Sequence, residues 1–443
     1  MTPRVSAAIF SLFFLVCAAS ANAQFVFAPS PPPPLIPPAF RPPAGSQADV
    51  PANITAANLE TPASSFLQWG RVKLHPYLSY SLVYSEGLQA QPGQPANSVV
   101  HNFTVGSQMD LTDHWTGAYV ATFSLYSNRR FQDSTSQAIN LAGGTTYGDW
   151  LLGFSQAYAM SSAPRIETGR QTDVQNTGTS FSASRRLGDK LSLELSVAQS
   201  LQFVSNSPDT YDWSTSDFMR YRFSTRFDAG VGIALGYTDT DPGSHMTYVN
   251  PQASFQWSPT DKISWSVQGG SETRKFHRGG VSDLKSPTVG TTIHYQPFKY
   301  TALSFTVSRN VTTSILANQV VKGQTWAVSL DQRLLQHFNL SLSVTGQKSS
   351  YVATIPVLIP DFVEEEVTDS EGNVSMVLVP SATLGLISVP RQDQTHSYSA
   401  RLSTALFGRV AVGLSYEETR NSSNSKGFGI QSRQTGLDIG YRF

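Results

Sequence analysis

The sequence predicts an all-β fold: a transmembrane antiparallel β-barrel of about 18 strands, in the range 16 to 20, preceded by a signal peptide and a proline-rich tether. Three observations predict it. Apolar and polar residues alternate with a period of two over segments of roughly ten residues, the mark of strands with one apolar face. The polar parity is Ser, Thr, Gly and Gln rather than Lys and Glu, and the apolar parity gathers aromatics near segment ends, at Tyr84, Trp115, Trp213, Trp257, Trp265 and Trp326. The connections between segments alternate short and long, as they do in bacterial outer-membrane barrels.

Composition agrees. The 443 residues hold 31 Lys and Arg against 31 Asp and Glu. Only 14% are charged, where a soluble domain has roughly 25%. A net charge of zero offers no footprint for nucleic acid, and 11% aromatic residues exclude a disordered chain.

The elements follow in order. Residues 1–23 carry Arg4, an apolar run from Ile9 to Val16 and the small-x-small end Ala21-Asn22-Ala23, which reads as a secretory signal peptide. The run is short for a membrane helix of roughly 20 residues. Leu15 and Val16 are too large for a lipidation site at Cys17. Removing this segment removes the one Cys, so the exported chain has no thiol chemistry. Residues 24–70 form the tether: 10 prolines fall between Pro29 and Pro51, which favours an extended polyproline spacer.

Residues 71–443 are the barrel. Leu191, Leu193, Leu195, Val197, Gln199, Leu201 and Phe203 alternate with Ser192, Glu194, Ser196, Ala198, Ser200 and Gln202. Ala229, Val231, Ile233, Leu235 and Tyr237 alternate with Gly230, Gly232, Ala234 and Gly236. Strands are expected near 71–84, 99–111, 114–127, 136–146, 149–161, 176–187, 191–204, 212–227, 229–238, 247–258, 262–272, 286–297, 301–310, 321–334, 338–348, 394–407, 409–419 and 430–443. The segment 136–146 alternates poorly and is required by the short–long parity. Short turns are expected at Thr112-Asp113, Tyr147-Gly148, Gly188-Asp189, Asp228, Pro259-Thr260-Asp261, Phe298-Lys299, Gln336-His337 and Gly408. In lipid an open sheet edge leaves backbone groups unpaired at several kcal/mol each, so closure is forced. An even count then puts both chain ends on the periplasmic side.

The runs Leu74-His75-Pro76-Tyr77-Leu78-Ser79-Tyr80-Ser81-Leu82, Leu141-Ala142-Gly143-Gly144-Thr145-Thr146-Tyr147-Gly148-Asp149-Trp150, Thr260-Asp261-Lys262-Ile263-Ser264 and Tyr295-Gln296-Pro297-Phe298 resemble a family of uncharacterised outer-membrane β-barrel proteins. Some members accompany exopolysaccharide production or export. The resemblance spans nearly the whole barrel, supports architecture, and supplies no catalytic residue. A terminal strand ending in Tyr441 and Phe443 is similar to those of outer-membrane proteins, which implies reading by the barrel-assembly machinery.

Catalytic chemistry is not expected, and neither is a cofactor. The eight histidines do not recur at metal-ligand spacing and no Cys assists them, so they read as solvated or lumen-lining; His245 with Asp239 and Asp241 forms a short acidic loop for which cation binding is the alternative. Lumenal charge is more informative. Met219, Tyr221, Phe223 and Phe227 alternate with Arg220, Arg222, Ser224 and Arg226, which puts three arginines on one inward stripe. Arg401 and Glu194 also fall on lumenal parities. Two readings stay open: an anion-selective stripe or an Arg–Glu network bracing the wall. The long connection 349–393 carries Asp361, Glu364, Glu365 and Glu366 and, after Ser370-Glu371-Gly372-Asn373, the run Val377-Leu378-Val379. It reads as an outside hairpin. It either folds inward as a constriction loop or projects outward, its acids solvated or bridged to lipopolysaccharide by divalent cations.

The expected function is a passive pore, or a barrel associated with polysaccharide export, with outer-membrane lipid, lipopolysaccharide and the assembly machinery as partners. The alternatives are a structural or adhesive barrel with a plugged lumen and, further off, an outer-membrane enzyme.

Overall fold

Strands that cross lipid must find every backbone partner in a neighbouring strand. The computed structural model describes residues 67–443 apart from 206, 242–244, 278–282, 315–318, 336, 354–356, 369–373, 386–390 and 407–408; between 353 and 390 it describes backbone alone. The expected signal peptide (1–23) and the tether up to residue 66 lie outside the described residues.

In chain order the strands are β1 (Leu67–Trp69), β2 (Val72–Gln91), β3 (Gln94–Thr112), β4 (Trp115–Tyr126), β5 (Ser134–Tyr147), β6 (Trp150–Arg165), β7 (Arg170–Arg186), β8 (Leu191–Val204), β9 (Asp209–Ser224), β10 (Phe227–Asp241), β11 (His245–Thr260), β12 (Ile263–Phe276), β13 (Leu284–Phe298), β14 (Thr301–Thr313), β15 (Gln319–Leu334), β16 (Phe338–Ala353), β17 (Val357–Thr368), β18 (Val374–Gly385), β19 (Gln392–Leu406), β20 (Val410–Ser423) and β21 (Ile430–Arg442). Among them β2–β16 and β19–β21 make one antiparallel wall of 18 strands in sequential order, and β2 pairs with β21 to close it. Each segment expected from the alternation overlaps one of these strands. β17 and β18 pair with each other, an outside hairpin within the long connection. β1 pairs with Val72–Leu74, on the β2 edge that β21 occupies from Tyr77 onward. The Phe443 amide closes that seam by donating to Pro76 O at 3.2 Å.

The outer face is apolar and open. Leu78, Val105, Phe123, Ile139, Val197, Met219, Val231, Leu402, Leu414 and Leu437 are exposed at alternate positions. So continuous an apolar surface is stable only against lipid. Near the short turns an aromatic belt runs from Tyr221 to Phe223 (centroids 4.8 Å apart), Phe227 (5.0 Å), Phe255 (5.1 Å) and Trp265 (5.5 Å). The chain is thus a bacterial outer-membrane barrel, with both described ends on the side of the short turns.

Two expectations need correction. The turn placed at Asp228 lies at Thr225-Arg226, and Asp228 belongs to β10. A register shift between Phe227 and Asp228 breaks the alternation there, so parity alone misplaces the reversal. Strands also outrun their alternation. β2 and β3 continue to a two-residue turn at Pro92-Gly93, and β6 and β7 stay paired up to Arg165 and Arg170. Alternation records contact with lipid; beyond the bilayer a strand's outer face need not be apolar.

The lumen and its outer mouth as the candidate functional site

Inward positions are mostly Ser, Thr, Asn, Gln and Gly, and their side chains bond sideways along the wall. The hydroxyls of Ser304 and Ser329 lie 2.7 Å apart, those of Ser343 and Ser399 2.7 Å, those of Ser155 and Ser180 2.6 Å, and those of Thr104 and Thr122 2.9 Å. Asn102 bridges two strands, donating to Ser81 and accepting from Ser124. Lumenal aromatics lie flat where the next strand has glycine. A Cβ at Gly236 would stand 2.2 Å from the Tyr248 ring, and one at Gly106 2.3 Å from that of Tyr77. These side chains therefore lie along the wall rather than across the axis.

The lumenal charges are mostly paired. Arg220 Nε donates to Glu194 at 2.8 Å, and its Nη1 stands 3.7 Å from Asp228. Arg401 reaches Asp438 at 3.1 Å across Gly413, where a Cβ would crowd both groups. Arg222 is exposed, opposite Asp228 in the ladder. Arg226 leaves the expected stripe: it sits in the β9–β10 turn, exposed, and donates to Pro259 O at 2.8 Å. The side chains of Asp361, Glu364, Glu365 and Glu366 lie outside the described residues. His245 meets Asp239 at 2.6 Å. Among the described residues no group of three or more His, Cys, Asp or Glu gathers as a metal site.

The outer third holds what the sequence did not reveal. β6 pairs with β5 only up to Met160, and β7 pairs with β8 only from Val174. The hairpin tip beyond them leaves the wall and crosses the mouth. There Ser314 Oγ, between β14 and β15, donates to Glu167 Oε1 at 2.6 Å. Arg391 Nη1 donates to Glu167 O at 2.8 Å and its Nη2 to Ile166 O at 3.3 Å. The same guanidinium is buried against Asp393 (2.6 Å) and lies over the rings of Tyr351 (4.7 Å) and Phe428 (3.7 Å). The Tyr351 hydroxyl donates to Asp393 at 3.4 Å. Gly169 has φ +67, and the tip glycines flanking it in space, Gly93 (φ +74) and Gly427 (φ +87), share that left-handed conformation; a Cβ at Gly169 would lie 3.1 Å from Pro92 and 3.4 Å from Phe428. Nearer its own wall, Gln171 Nε2 donates to Gln132 O at 2.9 Å.

A second hairpin leans in. β14 pairs with β13 only up to Arg309, and beyond it Val311 O accepts from Arg274 Nη2 at 3.3 Å. Val311 and Val320 bury Met246, and Arg274 is paired with Glu272 at 2.9 Å. The level of the lumen therefore decides exposure. In the outer third Ser85, Gln89, Thr238, Ser286 and Ser349 are buried. Lower down, Thr116, Asn140, Ala142, Ser182 and Arg222 are exposed. One signal was available in the sequence: opposite charges two apart share a strand face, as in Glu272-Thr273-Arg274 and Arg391-Gln392-Asp393.

No family model matches the chain, and no curated protein matches it. Solved structures are similar at low identity. The outer membrane protein OpdK from Pseudomonas aeruginosa is 11% identical, covering 84% of this chain and 98% of that one at a TM-score of 0.40. OccK2 (OpdF) from the same organism, in complex with glucuronate, is 10% identical, covering 84% and 98% at 0.42. OccAB3 of Acinetobacter baumannii is 7% identical, covering 84% and 99% at 0.42.

Proposed function

We propose that the barrel is a passive channel for small polar solutes across the bacterial outer membrane, with its resistance concentrated at the outer mouth. The observation that carries this reading is the lower lumen, lined by exposed small polar side chains whose own hydrogen bonds run along the wall. An 18-strand wall encloses more than its side chains fill, and such barrels leave an aqueous channel. Pairing of Arg220 and Arg401 with carboxylates supports weak charge selection, with Arg222 the main free contributor among the inward arginines. No catalytic group is invoked.

A second reading, a structural barrel plugged at its mouth, is favoured by the ties of the β6–β7 tip to Ser314 and Arg391. Planar-bilayer recording of the refolded barrel separates the two: stable ion-conducting steps support the channel, and a folded but silent barrel supports the plug. The resemblance to barrels that accompany exopolysaccharide supplies the first solute to try, a hydroxyl-rich neutral glycan, in liposome-swelling assays. The terminal strand, with Tyr441 and Phe443 edge to face at 4.9 Å, is our candidate for the signal that the barrel-assembly machinery reads. Replacing Phe443 with Ala should reduce the assembled fraction in outer-membrane preparations.

A further inference from the structure

The long connection is built differently from the wall. Between Lys348 and Arg391 the sequence holds six acidic residues and no Lys, Arg or His. All six fall between Asp361 and Glu371, and β18 carries no charge from Val374 to Gly385. β17 and β18 form a two-stranded sheet that pairs with no other strand among the described residues. A lone hairpin is marginally stable in water, and further strands are needed to hold it. Its two free edges are not equivalent. β17 is guarded as natural edge strands are, by Asp361, Glu364, Glu365 and Glu366. β18 is guarded only by Pro380. Its first six residues, Val374–Val379, combine high β-propensity with no charge, no Pro and no Gly, which is the composition of an edge that accepts another strand. The register places Val374, Met376 and Leu378 on one face, opposite Thr368, Glu366 and Glu364 of β17.

We propose that β18 pairs antiparallel with β18 of a second copy of this chain, centred on Met376, and so completes a four-stranded sheet outside the membrane. The contact is isologous: Met376 lies opposite the partner's Met376, and Val374 opposite the partner's Leu378, so the apolar face runs on across both copies. Pro380 falls beyond the paired stretch, where its missing N–H removes no ladder bond. Charge selects both the edge and the occupant. Through β18 the acidic strands of the two copies end up outermost, three strand spacings or about 14 Å apart, beyond the Debye length of about 8 Å at physiological salt. Through β17, Glu365 would stand opposite its own copy at about 5 Å, which is destabilising. A basic partner strand would take the acidic edge; the uncharged edge suits a strand that brings no charge, and β18 is such a strand.

The test is disulfide trapping of the refolded barrel in detergent, in a chain whose one cysteine, Cys17, lies in the expected signal peptide. Directly opposite residues of an antiparallel pair have Cα atoms about 4.5–5.5 Å apart, inside the range a disulfide spans. Met376→Cys is therefore expected to give a covalent dimer on non-reducing gels under mild oxidation, and Glu365→Cys none. Sedimentation of the unaltered protein in density-matched detergent should show the dimer without any substitution. Met376→Lys, which sets like charges opposite each other, should weaken it about tenfold. A monomeric unaltered protein would overturn the proposal, whether the hairpin then meets its own barrel or a different partner. Trapping of Glu365→Cys as readily as Met376→Cys, or a dimer as tight in Met376→Lys, would overturn it too, because the contact would lie elsewhere.

Discussion

The two ends of the lumen obey different rules. Toward the periplasm many inward side chains are small, exposed and tied to one another along the wall. Toward the outside the same parity is buried. Its polar groups are larger and several are charged, and they bond across the barrel: on the β6–β7 tip the Glu167 carboxylate accepts from Ser314, just past β14, and its backbone carbonyl from Arg391, just before β19. Short side chains along a wall make a conduit, and long charged ones with buried partners make a closure. On the channel reading proposed above, the difference puts the control of permeability in hairpin tips rather than in barrel diameter.

The largest expected effect comes from abolishing that difference. Replacing residues 162–172 with a short glycine linker removes the crossing tip while leaving the β5–β6 and β7–β8 ladders, which end at Met160 and Val174. Single-channel conductance should rise several-fold. An unchanged conductance would locate the resistance elsewhere.

The next effect is at the latch. Arg391→Ala leaves Asp393 without its guanidinium and frees the carbonyls of Ile166 and Glu167. Breaking a buried pair costs roughly 3 kcal/mol, and the mouth is where that cost is felt. Amide hydrogen exchange in 162–172 should quicken by about two orders of magnitude, while exchange in β10 and β11 stays as it was. Uniform quickening would make Arg391 a global brace instead.

Where the buried Arg274 guanidinium lies over the Tyr248 ring at 5.0 Å, the sharpest steric test is Gly236→Val. Its Cβ would meet the Tyr248 ring at 2.2 Å and push that ring toward the axis. Overpacking of this kind costs about 1–3 kcal/mol, visible as a lower temperature for loss of the folded band in heat-modifiability gels. An unshifted band would mean that Tyr248 has room to move. The smallest effect is on selectivity. Arg222→Glu should move the reversal potential toward cations, and Arg220→Gln should move it less, because Glu194 and Asp228 already offset Arg220. Equal shifts would show that pairing does not quench the charge.

Most of the barrel was legible because lipid imposes a code. Leu191 to Phe203 alternates since one face meets acyl chains and the other meets water, and short turns mark the periplasmic side. The code fails where lipid ends. Ser161 to Asp173 has no apolar parity to read, so it reads as a loop rather than as the hairpin that shapes the mouth. Asp228 was misread because a bulge shifts the parity beside a turn. Arg220, Arg222, Arg401 and Glu194 were legible as inward, but which carboxylate each arginine meets depends on the register between strands, and no single strand records it.

The central claim is that this is an open conduit narrowed at its outer mouth. Paired planar-bilayer recordings of the intact barrel and of the 162–172 replacement test it most directly. The account predicts discrete conducting steps for the intact barrel and several-fold larger ones after the replacement. A silent intact barrel, or steps of equal size in both proteins, would contradict it.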